Sequence, residues 1–410
     1  MTGATRAGGA HLPSRRASRF RVAGAPGYWL SAPALLYLFI FFLLPLGIVL
    51  LQAVRDDRFS AAFPQSADML RHESDGRLPS ETVLHVFVSE LAKSRADKTI
   101  SGVDRRIAQE DPALQGLFAA TARKLPGGQA QATMQDTLGS IDKRWADPAT
   151  WMVIRRAAAN WTPTYLLMAI DHTRDASGQI VPRPAEQAIY LAILWKSITI
   201  SLIVTLLTVI LGMPLAFLMA HATPTWRTVL FIAVQIPFWT SILVRLSAWT
   251  VLLQNQGLLN QLLHHLGLVD APIEMMYNRF AVYVAMTHVQ LPLMILPAYG
   301  VMQGIKENYV RAALSLGASP LRAFATVYLP LAAPGVGAGS VLVFISSLGY
   351  YITPAIVGGA GDQMISYFVQ FHLDKLNWGL AAALASIMIV TTGLVVLVAR
   401  IASRAYAASR

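Results

Sequence analysis

SITISLIVTLLTVILGMPLAFLMA, residues 197–220, runs for 24 positions without one Asp, Glu, Lys or Arg. A bilayer core takes about 20 apolar residues in helical form, so this stretch is long enough to cross one. Five more stretches share the pattern. The first, WLSAPALLYLFIFFLLPLGIVLLQ, covers residues 29–52, the third begins after Arg227 and is interrupted by Arg245, and the fourth spans Phe280 to Ile305. The fifth lies within Ala323 to Gly361 and the sixth runs from about Leu380 to Ala399. Across the 410 residues, 55% are hydrophobic and 13% charged, a composition that excludes an ordinary soluble protein. The expected fold class is an all-α integral membrane protein with six transmembrane helices.

The chain divides accordingly. Residues 1–28 are a basic N-terminus, 29–53 the first span, 54–187 a polar insert, 188–403 the remaining five spans with a loop at 305–333, and 404–410 a tail. The first span is too long for the roughly 7–15-residue core of a signal peptide and no small-residue cleavage site follows it, so it reads as an uncleaved anchor. The insert is too polar to cross a membrane and long enough to form a small domain. In SETVLHVFVSELAKS, Leu84, Phe87, Val88 and Leu91 repeat at helical spacing behind a Ser80 cap, and further helices are expected around Pro112–Lys124 and Pro148–Asn160. No strand alternation, metal-ligand cluster or repeat is legible there.

Charge placement orients the molecule. With the N-terminus inside, the inner segments carry Arg6, Arg15, Arg16, Arg19, Arg21, Arg227, Lys306, Arg311, Arg322, Arg400, Arg404 and Arg410 against the single acid Glu307. The insert holds 17 basic and 17 acidic residues, and the 254–279 and 358–379 loops are each net −1. The net charge of +11 is thus a positive-inside signature and not a nucleic-acid footprint. The insert is expected to face outward.

Chemistry is sparse. There is no cysteine, hence no disulfide, thiolate zinc site or cysteine nucleophile. None of the seven lysines follows a glycine, so no P-loop holds a nucleotide here. No arrangement of nucleophile and base suggests an enzyme, and the adjacent His264 and His265 lack further metal ligands.

The loop ENYVRAALSLGASPLRAFATVYLPLAAPG, residues 307–335, parses as helix, turn, helix. Ala312 and Ala313 form a small-residue face. Gly317 suits the left-handed position after a helix, Ala318 follows it, and Ser319–Pro320 are a cap and first-turn pair. Val310, Leu314, Val327 and Leu329 could pack the loop. It is either an amphipathic segment on the membrane surface or a coupling helix whose small residues let it dock closely in another subunit.

This loop resembles the EAA loop of ATP-binding cassette importer permeases, whose pattern is Glu-Ala-Ala, three residues, Gly, nine residues, Ile-x-Leu-Pro. Ala312, Ala313, Gly317, Leu329 and Pro330 match it, Val327 stands for Ile, and Arg311 replaces the Glu. Glu307 is placed to pair with Arg311 one turn on. PFWTSILVRLSAWTVLLQNQGLLNQLLHHLGLV from Pro237, SSLGYYITPAIVGGAGDQMI from Ser346, LPLMILPAYGVMQGI and NWGLAAALA are similar to regions of spermidine/putrescine permeases. The resemblance covers 29–53 loosely and 188–403 well, and leaves the insert out.

It implies a type I importer permease in the bacterial inner membrane, with two ATPase subunits that use ATP and Mg²⁺, a second permease subunit and an extracytoplasmic solute-binding protein. A polyamine is the implied solute, with another small solute as the alternative. A secondary transporter or a membrane receptor ranks lower, because the spans carry no carboxylates and the chain has no sizeable cytoplasmic output domain. Candidate pathway residues are Trp239, Trp249, Tyr350 and Tyr351, whose rings offer cation-π surface, and Arg245, which either pairs structurally or gates. His288 and Gln290, before Pro292 and Pro297, are expected to hydrogen-bond between helices.

Overall fold

The computed structural model describes residues 28–73, 77–125, 133–175 and 177–408, with side chains from 31 to 401. The cationic residues expected at the extreme N-terminus, and Arg404 and Arg410, lie outside the described side chains. The chain divides after Ile48 into two units. The first span is helical from Tyr28 to Leu38 and again from Leu44 to Leu51, with a π-helical turn at Phe39–Leu43 between them. Pro45 explains that turn. A proline ring collides with the carbonyl four residues back and offers it no N–H, and widening the preceding turn moves the carbonyl of Phe41 aside. The same device recurs where Pro330 follows the π turn Phe324–Tyr328.

The insert is mainly helical. Its core is aromatic: Phe59, Phe63, Phe87, Phe118, Trp145 and Trp151 are fully buried. Their rings meet edge-on or stacked, Phe63 and Phe87 at 5.2 Å, Phe87 and Trp145 at 5.4 Å. Both indole N–H groups find acceptors, Trp145 the Thr121 hydroxyl at 2.8 Å and Trp151 the Trp145 carbonyl at 2.9 Å, as buried indoles require. In the Glu81–Ala96 helix Leu84, Phe87 and Leu91 are buried as expected, with Val88 partly so. Ser80 is not a side-chain cap: its hydroxyl bonds Glu73 at 2.7 Å instead. The insert also holds a short antiparallel pair, His172–Arg174 with Ile180–Pro182. Strands of three residues are too short to display an alternation.

The insert is fastened to the helices that follow it by polar bonds and one close approach. Asp171 caps the second span, accepting from the amides of Tyr190 at 2.9 Å and Leu191 at 2.8 Å. Gln109 donates to Asn377 at 3.0 Å, and Arg58 and Arg105 reach the carbonyls of Leu376 and Lys375, each at 3.3 Å. Tyr165 lies flat against Gly379, where a side chain would meet its ring. Behind it Arg106, fully buried, bonds Glu110 at 2.7 Å and lies 3.5 Å from Asp56, which the Tyr165 hydroxyl also reaches. Burial opposes the Arg106 charge, yet Glu110, then Tyr165 and Asp56, hold its pKa above the ordinary arginine value.

The second (Tyr190–His221), fourth (Arg279–Met302) and fifth (Pro320–Leu348) spans form the packed centre. Gly335 and Gly339, one turn apart, bring the fifth span against the fourth: an added Cβ would lie 2.8 Å from the Pro297 carbonyl and 2.9 Å from that of Met294. Small residues at such spacing allow close backbone approach where lipid offers no hydrophobic drive. Gln290 crosses the same seam, donating to Ser346 at 3.0 Å and Ser347 at 3.2 Å. The last helix, Trp378–Ala408, continues past residue 403, so no structural break marks the proposed tail.

The third span departs most from expectation. It is not one rod but two limbs, Pro224–Trp239 and Ile242–His265, meeting at 98°. Pro237 weakens the helix end, and Thr240 and Ser241 then take extended backbone angles.

Candidate functional site

The loop after the fourth span folds as helix, turn, helix, in the order expected. Glu307–Ser315 is the first helix, and its end is a Schellman turn: the Ala318 amide reaches the Ala313 carbonyl at 3.1 Å and the Gly317 amide that of Leu314 at 2.9 Å. Gly317 adopts φ +88° with open space where a Cβ would be, so backbone handedness rather than crowding demands glycine. Ser319 accepts from the Arg322 amide at 3.4 Å, and Pro320 opens the next helix. That second helix is not separate. It continues through the Phe324–Tyr328 π turn into the fifth span, so the end of the loop and the span are one continuous helix.

An aromatic cluster roots the loop on the end of the second span. The Phe217 ring meets Phe324 edge-on at 5.6 Å and Tyr328 at 5.1 Å, while His221 lies 5.5 Å from Tyr328. These rings, with Ile305, Val310 and Arg311, line a cavity of about 330 Å³. Arg311 and Glu307 form the expected pair. Beyond this root the turn projects apolar side chains into the open. Leu316 is 89% exposed and Leu321 78%, and Ala312 is exposed between Tyr309 and Leu314. Val327 and Pro330 are half-buried, and Leu329 is exposed at 37%. Leu316 and Leu321 were not singled out from sequence; their position on either side of Gly317 was the available signal.

The pathway candidates separate into two groups. Trp249 donates to His288 Nδ1 at 3.3 Å, its ring edge-on to the imidazole at 5.4 Å, Trp249 and Tyr350 pack against the same buried cluster, and Arg245 lies one turn before Trp249 on the same helix. Arg245 Nε is buried without an acceptor, and no carboxylate among the described residues pairs with it. Trp239 stands apart at the bend of the third span, 85% exposed, and Tyr351 is likewise at the surface. Arg245, Trp249, His288 and Tyr350 therefore form one locus, and Trp239 and Tyr351 do not join it. His288 and Gln290 both hydrogen-bond between helices as expected, His288 to Trp249 and Gln290 to Ser346 and Ser347.

Residues 189–407 match the family described as binding-protein-dependent transport system inner membrane component. The spermidine/putrescine transport system permease protein PotB of Haemophilus influenzae is 32% identical over 246 residues, covering 58% of this chain and 84% of that protein. PotB of Escherichia coli K12 is 32% identical over 217 residues, covering 53% and 79%. The inner membrane ABC transporter permease protein YdcU of Escherichia coli K12 is 32% identical over 218 residues, covering 49% and 68%. The family match takes in the spans from the second onward, the aromatic root, the Gly317 turn and the Arg245 locus, and begins after the insert. The chain belongs to the binding-protein-dependent transport system inner membrane components, the multi-pass permease subunits of bacterial ATP-binding cassette importers.

Proposed function

We propose that this permease carries a polyamine of the spermidine or putrescine class across the inner membrane, driven by ATPase subunits that grip the Glu307–Pro330 loop. The exposed apolar turn carries this reading. Leu316 and Leu321, left almost fully in solvent beside a rigid glycine turn, suit insertion into a groove of a partner. The loop's continuity with the fifth span would convert the partner's movement into rotation of the bundle, opening the path alternately to each side. The excess of cations on the segments near this loop supports a cytoplasmic location, with the insert outside.

In this reading two ATPase copies supply the ATP and Mg²⁺ chemistry, which this chain does not perform. A second permease subunit completes the pathway, and an extracytoplasmic binding protein delivers the solute. Carboxylates for a polycation would then come from that second subunit, since the spans here have none.

A second reading, a permease for another small solute, is favoured by Arg245 alone. A guanidinium without a carboxylate partner beside Trp249 and His288 repels a polycation and attracts an anion. Two experiments decide. Deleting Gly317 to Pro320 is expected to abolish ATPase co-purification, and retained assembly with transport would refute the coupling role. Uptake of labelled spermidine and putrescine into vesicles holding the whole importer tests the solute. No uptake, with transport of an anionic solute that Arg245→Gln abolishes, would refute the polyamine assignment.

A further inference from the structure

The insert contains a cavity of about 310 Å³ that the transport reading does not use. It lies between the C-terminal end of the Ile100–Glu110 helix, the Pro148–Ala158 helix, the His172–Arg174 strand and the Arg183–Gln187 turn that leads into the second span. Three arginines line it: Arg156, Arg174 and Arg183. Among the described residues none of them has a carboxylate within 4.0 Å. The buried arginines elsewhere in the insert differ. Arg106 keeps Glu110 at 2.7 Å and Arg155 keeps Glu73 at 3.6 Å.

The acids that line the same cavity, Glu110, Asp111 and Asp175, keep their charge but spend it on local donors rather than on the three arginines. Glu110 accepts from Arg106 and, at 2.6 Å, from the Thr164 hydroxyl. Asp111 caps the Ala113 amide at 2.9 Å. Asp175 accepts from the Ser177 hydroxyl at 2.7 Å and the Gln179 amide at 2.9 Å, bonds that hold its carboxyl below the usual range. On the cationic side two donors are orphaned: Arg156 Nε and Arg174 Nε are buried and bond nothing. Arg156 spends one terminal nitrogen on the Asp175 carbonyl at 2.6 Å, and Arg183 one on Gln187 at 2.9 Å. Two unmet Nε donors on half-buried arginines that line one space suit an acceptor with several oxygens, and the planar fork of arginine matches phosphate better than a halide or a neutral group.

We infer that this cavity is a phosphate-binding site, with Arg156, Arg174 and Arg183 as its ligands, and that it receives the phosphodiester headgroup of an anionic phospholipid. Its height in the molecule supports the lipid source. The Arg183–Gln187 turn ends three residues before Tyr190, where the second span begins, and Ile189, Leu191 and Trp195 are exposed just beyond it. A phosphate held here would sit where the apolar surface of the span meets the polar insert, the level of lipid headgroups. Arg183, on the turn that Asp171 and the second span share, would tie the insert to the membrane surface as well as to the bundle.

The test uses the full chain, purified in mild detergent, stripped of lipid and titrated separately with phosphatidylglycerol and with inorganic phosphate, bound ligand being read by native mass spectrometry. Phosphatidylglycerol is expected to bind and to lose about tenfold in affinity in Arg174→Gln and in Arg183→Gln. Arg123→Gln, on an exposed helix end outside the cavity, should leave binding unchanged. Inorganic phosphate binding more tightly than the lipid, with the same arginine dependence, would keep the phosphate site and overturn its lipid source. If neither variant weakens either probe more than Arg123→Gln does, the site itself is refuted. Arg183→Gln forfeits one exposed bond to Gln187, so loss of fold does not confound that variant.

Discussion

Replacing Gly379 with alanine places a methyl group against the Tyr165 ring, 2.5 Å from Cζ and 2.6 Å from Cδ2. Carbon atoms in contact settle at about 3.5–4.0 Å, so the ring or the start of the last helix must shift by about 1 Å. The ring has little freedom. It is fully buried, its hydroxyl is bonded to Asp56, and Gln109 lies 2.6 Å from the same oxygen. Moving it disturbs the carboxylate that helps balance Arg106. Overpacking of this kind costs about 1–3 kcal/mol, and a lost buried hydrogen bond adds about 1 kcal/mol. The expected loss is therefore about 2–4 kcal/mol, concentrated at the junction of insert and last span. Hydrogen exchange measures it locally: amides at 164–169 and 378–384 should exchange faster by at least tenfold, while those of the aromatic insert core hold their protection. In a Tyr165→Ala background the same substitution should cost almost nothing, giving a coupling energy above about 1 kcal/mol. Additive effects of the two substitutions would refute the close approach as the fastening.

Arg106→Met should destabilise the insert by about 3–5 kcal/mol, because it leaves Glu110 buried with no cation and Asp56 with Arg58 alone, at 3.8 Å; a shifted denaturant midpoint checks this, and Arg106→Lys should restore only part of the loss. His372, whose Nε2 shares a hydrogen bond with the Tyr190 hydroxyl at 2.8 Å, is held by burial at a pKa of about 4, below its ordinary 6.5. A depressed pKa stabilises the neutral folded form, so this contribution is full above pH 6.5 and falls as the pH drops towards 4; thermal unfolding across that window should lose its slope in His372→Gln. Leu316→Asp and Leu321→Asp, at solvent-exposed sites, should alter stability by no more than about 0.5 kcal/mol. They should weaken ATPase binding at least tenfold by pull-down titration, and unchanged binding would argue against the turn as the contact.

Different features were legible for different reasons. The Gly317 turn could be read in full because every bond in it is local: the glycine, the serine cap and the proline act within four residues of one another. The helical face of Leu84, Phe87 and Leu91 was equally visible as a period. The bend in the third span was missed although Pro237 was in view, since a proline near a helix end is compatible with either a straight crossing or a break. The pathway set rested on aromatic type, and type does not say that Trp249 meets His288 while Trp239 is exposed. The arginine cavity gathers residues from 108 to 187, and nothing in their spacing announces it.

The order of residues alone determined that this chain spans a membrane and where its 305–333 loop turns, because apolar length and glycine handedness act over a few residues at a time. Its charge asymmetry supports an orientation by the same local reading. Only the tertiary structure decided how the insert is fastened, through Asp171 on the second span and Tyr165 against Gly379, and which of the described arginines have no carboxylate partner. Those outcomes depend on surfaces meeting across as many as 318 positions, as between Arg58 and Leu376. The energy of such contacts resides in distance and burial, quantities that a linear pattern does not contain.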